Sequence, residues 1–177
     1  MMVRTVRIWK NDNTYKGISI LKHDTNVTSI LKLKGKEVLV ESGFQASTGI
    51  SFWNLNDYTK LHAIKGYGVD EPIHIIQLSN GNIALSSQDE PHPIVIIDSS
   101  TYQVKKVIQL KEHITGCSSF PLCVFNEHSF IYVSFGIFLQ ISNKDGSILF
   151  HSDGGSLNEV LFHSKKESTL LLRIIRD

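Results

Sequence analysis

Eight histidines and two cysteines are the residues of this chain best suited to hold a metal ion or act as nucleophiles. His23, His62, His74, His92, His113, His128, His151 and His163 are spread along its whole length. None forms the i, i+4 pair that sets two imidazoles on one helix face, and Cys117 and Cys123 lack the Cys-x2-Cys spacing of a zinc site. No Gly-x-Ser-x-Gly elbow exposes a serine, and Gly154-Gly155-Ser156 reads as a turn. No glycine-rich loop of phosphate-binding spacing is present, since Gly66-Tyr67-Gly68 lacks a third glycine. Asp145-Gly146 and Asp153-Gly154 are turn dipeptides without the spacing of a calcium loop. The sequence therefore predicts no enzyme: no catalytic, metal-binding or cofactor-binding residue, and no cofactor. One segment is both polar and stiff, Glu90-Pro91-His92-Pro93, and it reads as an ordinary connecting loop or, less often for such a segment, as a contact with another molecule.

Any such contact needs a scaffold. A chain of 177 residues can enclose a sizeable core in one domain. With 41% hydrophobic residues, 20% charged residues and net charge +1, it lacks the composition of a disordered chain. It also lacks the basic clustering of a nucleic-acid binder, Lys105-Lys106 and Lys165-Lys166 being its densest basic pairs. No apolar run reaches the length of a spanning helix, so no membrane association is predicted. Met1-Met2-Val3-Arg4-Thr5 leads into an alternating strand rather than an apolar signal core. The expectation is an intracellular, cytoplasmic protein, with the nucleus left open.

The scaffold is written as short strands and turns. Predicted strands include Thr5 to Lys10, Tyr15 to Leu21, Val27 to Leu33, Glu37 to Glu41, Ile50 to Leu55 and Tyr58 to Ile64. The cycle then restarts with Ile73 to Leu78, Ile83 to Ser86, Ile94 to Ile97 and Val104 to Leu110. A fainter third pass runs from Cys117 to Phe125, broken by Pro121, through Phe130 to Phe135, Phe138 to Ile141 and Ser147 to Phe150. Leu157 to Phe162 and Leu170 to Ile175 complete the set. Turns fall at Asn56-Asp57, Ser79-Asn80-Gly81-Asn82, Asp98-Ser99-Ser100 and Asn143 to Gly146. No segment shows sustained helical periodicity. Trp9, Trp53, Ile97 and Ile141 stand at 44-residue intervals, each ending a hydrophobic strand. Strand-dense repeats of that length predict an all-β fold of β-propeller blades, four-stranded antiparallel sheets amounting to about four blade-equivalents. The phase makes Trp9 and Trp53 core or semi-buried strand residues.

Thr5-Val6-Arg7-Ile8-Trp9 resembles the third strand of a WD40 repeat, and Ile50-Ser51-Phe52-Trp53-Asn54 resembles the same element one repeat later. His23 and His113 sit where that family's Gly-His histidine precedes a first strand. The family's aspartate six positions before the tryptophan is absent, Val3, Ser47, Pro91 and Phe135 standing there instead. Only the second register keeps part of the family's polar set, with His23, Ser42 and Trp53. The resemblance implies residues 1–177 as one WD40-like propeller domain or propeller fragment. The chain opens in a third strand and closes in a second strand, so its N-terminal third and fourth strands and its C-terminal first and second strands would together make one blade. A piece of a longer propeller, a closed four-blade ring and half of a two-chain ring, a homodimer, all fit. The resemblance further implies a scaffold that binds protein or peptide partners through loops on one face. Those loops here are Gly43 to Thr48, Gly66 to Glu71 and Gln88 to His92. Their candidate contact residues are Tyr67, Asp70, Asp89, Glu90 and His92: an aromatic anchor, and an acidic trio that favours a basic peptide.

Overall fold

The computed structural model describes residues 5–9, 16–22, 26–43, 49–65, 72–87, 93–109, 122–134, 137–153, 160–162 and 170–172. These residues form strands and turns, with no helix among them. The strands in chain order are β1 (Thr5–Trp9), β2 (Gly17–Lys22), β3 (Val27–Lys32), β4 (Val38–Gly43), β5 (Ile50–Asn54) and β6 (Lys60–Ile64). Then come β7 (Pro72–Gln77), β8 (Ile83–Ser87), β9 (Ile94–Ile97), β10 (Val104–Ile108), β11 (Leu122–Val124), β12 (Ser129–Ser134), β13 (Ile137–Ser142) and β14 (Ile148–Asp153). The last two are β15 (Val160–Phe162) and β16 (Leu170–Leu172). They build three four-stranded sheets, β3–β6, β7–β10 and β11–β14, each an antiparallel meander in chain order, and two-stranded sheets β1–β2 and β15–β16.

The turns confirm the 44-residue phase at atomic detail. Asn54 and Ser142 end a third strand and Asp98 directly follows one, and each backbone carbonyl accepts the N–H of the residue four positions on. Those donors, Tyr58, Tyr102 and Gly146, all adopt the left-handed conformation, with φ of 62°, 58° and 67°. The same three strand-end side chains also accept the N–H two positions on: Asn56 to Asn54 at 2.9 Å, Ser100 to Asp98 at 2.8 Å, Lys144 to Ser142 at 3.2 Å. A short polar side chain that caps its own turn explains why Asn, Asp and Ser occupy this phase. The predicted strand Tyr58 to Ile64 therefore starts later, at Lys60, because Tyr58 belongs to the turn.

Alternation of side chains along each strand sends successive residues to opposite sheet faces. Val6 and Ile8 of β1 and Leu21 of β2 meet Leu39 and Trp53 of the next sheet. The other face of that sheet, with Val40, Ile50 and Phe52, packs on Ile75, Ile83, Leu85, Val95 and Ile97. The opposite face of β7–β10, with Ala84, Ile94 and Ile96, meets Phe130, Tyr132, Leu139 and Ile141. Each fully buried side chain of this size contributes about 1.5–3 kcal/mol. The sheets thus stack through apolar faces, and β3 lies against β7 as β7 lies against β11.

Trp53 is buried as predicted, 8% exposed, but Trp9 is 54% exposed. The physical reason is position. Among the described residues, no sheet covers the face of β1–β2 that carries Trp9, whereas β1–β2 itself covers the Trp53 face.

Candidate functional site

The meander divides each sheet into two ends with different backbones. At one end lie the turns β3–β4, β5–β6, β7–β8, β9–β10, β11–β12 and β13–β14. They are closed by backbone bonds such as Leu33 N to Val38 O at 2.9 Å and Leu78 N to Asn82 O at 2.8 Å. The β7–β8 turn places Gly81 at φ 86°, as the Ser79 to Asn82 sequence predicts.

Adjacent sheets are latched at this end. Lys36 Nζ donates to the Ser99 carbonyl at 2.6 Å, and Asn80 Nδ2 donates to the Asn143 carbonyl at 2.9 Å. Lys36 and Asn80 are one 44-residue step apart, as are Ser99 and Asn143, so the same bridge occurs twice with different donors. Asn143 Nδ2 also donates to Ser79 Oγ at 2.8 Å, and Ser79 Oγ donates to the Glu127 carbonyl at 2.6 Å. Sequence reasoning missed these latch residues. The signal that finds them is the repeat phase itself, applied to turns as well as strands.

At the opposite end lie the connections that carry the candidate contact residues. Tyr67, Asp70, Asp89, Glu90 and His92 lie outside the described residues, as do His23, His113 and Cys117. Their anchoring strand ends are described. Pro72, which follows the segment holding Tyr67 and Asp70, is the ladder partner of Ser87. Ser87 in turn precedes the segment holding Asp89, Glu90 and His92, and its N–H donates to the Pro93 carbonyl at 3.3 Å. The two candidate segments thus spring from neighbouring strand ends of one sheet. Buried Ser86, Ser87 and Pro93 fix that platform. Gly49 anchors the preceding segment, at φ 52°, where any Cβ would run into the Ile64 carbonyl.

No family model matches this chain, and no curated protein matches it.

The polar set predicted around Trp53 takes a different form. Ser42 Oγ lies 2.8 Å from Thr28 Oγ1, while Trp53 Nε1 is buried with no hydrogen-bond partner among the described residues. Lys60 covers the Trp53 ring instead, its Nζ 4.8 Å from the centroid. In the adjoining sheet pair, Tyr102 packs on Phe52 at 4.6 Å between ring centroids, a tilted pair that pins the β9–β10 turn to the neighbouring sheet.

Three titratable groups among the described residues are held by hydrogen bonds to the backbone or to neighbouring side chains. His74 Nδ1 accepts the Leu122 N–H at 3.1 Å, tying β7 to β11, and half-burial pushes its imidazole below the ordinary range. Hydrogen bonds from the Ser100 hydroxyl and N–H hold Asp98 at about 2, and those from Ser147 hold Asp145 at about 2. Among the described residues, no three His, Cys, Asp or Glu side chains converge to hold a metal ion. No helix of the described residues is long and apolar enough to cross a membrane.

Proposed function

We propose that this chain is a WD-repeat-like propeller module, whole or partial, that works as an interaction scaffold rather than an enzyme. In this reading the stacked sheets are blades. Protein or peptide partners dock on the loops between second and third strands and between fourth and first strands. The observation that supports it is the asymmetry between the two sheet ends. One end is locked by repeated turns and inter-sheet latches. The other gathers the Tyr67–Asp70 and Asp89–His92 segments on the paired ends Pro72 and Ser87. Loops held by a rigid scaffold are where recognition concentrates. Tyr67 serves as the anchor, and Asp70, Asp89 and Glu90 select basic sequence, with His92 beside them.

The test is binding of fluorescent peptides of basic, neutral and acidic composition to the intact chain, read by anisotropy. The expected result is a preference for basic peptides that weakens with added salt. Alanine at all five positions should lower that affinity at least tenfold. Equal binding of all three compositions, or affinity unchanged by the five substitutions, overturns the reading.

A further inference from the structure

Three of the four positions in the 44-residue phase show what belongs on this side of a sheet. Trp53 packs beneath Val6, Ile8 and Leu21 of the preceding sheet. Ile97 packs beneath the Val40, Ile50 and Phe52 face, and Ile141 beneath the Ala84, Ile94 and Ile96 face. Trp9 occupies the same phase on β1, yet it lies open beside exposed Ile18 and Ile20 of β2. Its ring lies over Gly17, 3.6 Å from where a Cβ would be. Arg7, Trp9, Ile18 and Ile20 border a depression of about 390 Å³. The covered copies thus give the chemistry of the missing cover: the apolar face of another sheet of this same repeat.

The edges say the same. In every four-stranded sheet the second strand pairs with the third, as β4 with β5, β8 with β9 and β12 with β13. By phase β1 is a third strand, and among the described residues it pairs only with β2. By phase β16 is a second strand, Leu170 standing three 44-residue steps after Val38, and among the described residues it pairs only with β15. The two half-sheets are complementary, and among the described residues each stands as its own two-stranded sheet. A lone pair of strands is marginally stable in water. The outward flank of β11–β14 carries an exposed aromatic side chain. Phe150 is exposed there, opposite Gln140 in the ladder and so on the face turned away from Leu139 and Ile141.

We propose that the β1 edge and the Trp9 face form the docking surface for a second copy of this chain. The partner's β16 pairs with β1, and its β11–β14 sheet covers Trp9, Ile18 and Ile20. The contact joins two different surfaces. Made twice about a two-fold axis, it closes and leaves neither half-sheet open. This inference rests on the repeat phase and the stacked faces, not on what the loops bind.

The test uses the full chain. Sedimentation equilibrium over a wide concentration range should give twice the chain mass. Trp9→Lys with Ile20→Lys should weaken association at least tenfold with unchanged circular dichroism, since both side chains are exposed. With Cys117 and Cys123 replaced by Ser, a Trp9→Cys chain mixed with a Leu171→Cys chain should form a disulfide between two chains, because the in-phase pairs Leu39–Trp53 and Ile83–Ile97 are ladder partners. That arm reads the contact even if the lysine variants misfold. A monomer at every concentration overturns the proposal. So does a disulfide closed within single chains that carry both Trp9→Cys and Leu171→Cys, which places the cover in the same molecule. Open-ended polymers overturn the two-fold closure.

Discussion

Sheet β7–β10 and sheet β1–β2 are variations on one sequence pattern with opposite fates. In the former, β8 and β9 are buried along their whole length because a neighbour sits on each face. In the latter, Val6 and Ile8 are covered while Trp9, Ile18 and Ile20 stay in contact with solvent. The strands β8 and β9 are the more apolar, but β1 and β2 also carry apolar side chains on both faces. The larger difference is the number of neighbours, and in a stacked repeat that number sets how much each apolar side chain contributes.

The sharpest way to break this comparison is a matched pair of truncations. Ile97→Ala, at the fully covered position, is expected to cost about 2–5 kcal/mol. Trp9→Ala, at the same phase on the open face, is expected to shift stability by only about 0.5 kcal/mol in dilute protein. Urea unfolding measures both, and equal losses would mean that Trp9 is covered too.

Next in size is Gly49→Ala. It combines a left-handed backbone with a Cβ directed into the Ile64 carbonyl, so a loss of about 1–3 kcal/mol is expected. Gly35→Ala shares the positive φ but has open space around it, and should cost less. The ratio of the two separates the steric part from the conformational part.

The smallest effect is a pH dependence at the β7–β11 contact. His74 titrates lower in the folded protein than in the unfolded chain, where its value is about 6.5. The folded state then binds fewer protons, so its stabilising contribution is complete above about pH 6.5 and is lost as pH falls through the folded value. His74→Gln should flatten the decline of the urea midpoint between pH 7 and pH 5. An unchanged slope would assign that decline to other groups.

Much of this architecture is readable in the residues. The 44-residue spacing of Trp53, Ile97 and Ile141 locates third strands, and the Asn, Asp and Ser clusters locate turns, because side-chain capping is a local property. Tyr58 reads as a strand residue because tyrosine is a poor left-handed residue. Only comparison with Tyr102 and Gly146 at the same phase reveals its role in the turn. Trp9 departs from expectation for the opposite reason: periodicity shows which face a side chain takes, not whether anything lies over it. The hydroxyl of Ser42 and the indole of Trp53 find different surroundings because partner choice depends on distances between strands. The candidate contact residues Tyr67, Asp70, Asp89, Glu90 and His92 are legible only as composition, and they lie outside the described residues.

The three apolar clusters, each shared by two adjacent sheets, also set an order of failure. Cohesion passes from neighbour to neighbour like rungs on a rope ladder, so amide protons should be traded with deuterated solvent first in the outlying hairpin β1–β2 and last in β8 and β9. A pulled or heated molecule would shed its flanks before its middle, which makes the centre the natural place to graft anything that must outlast the rest.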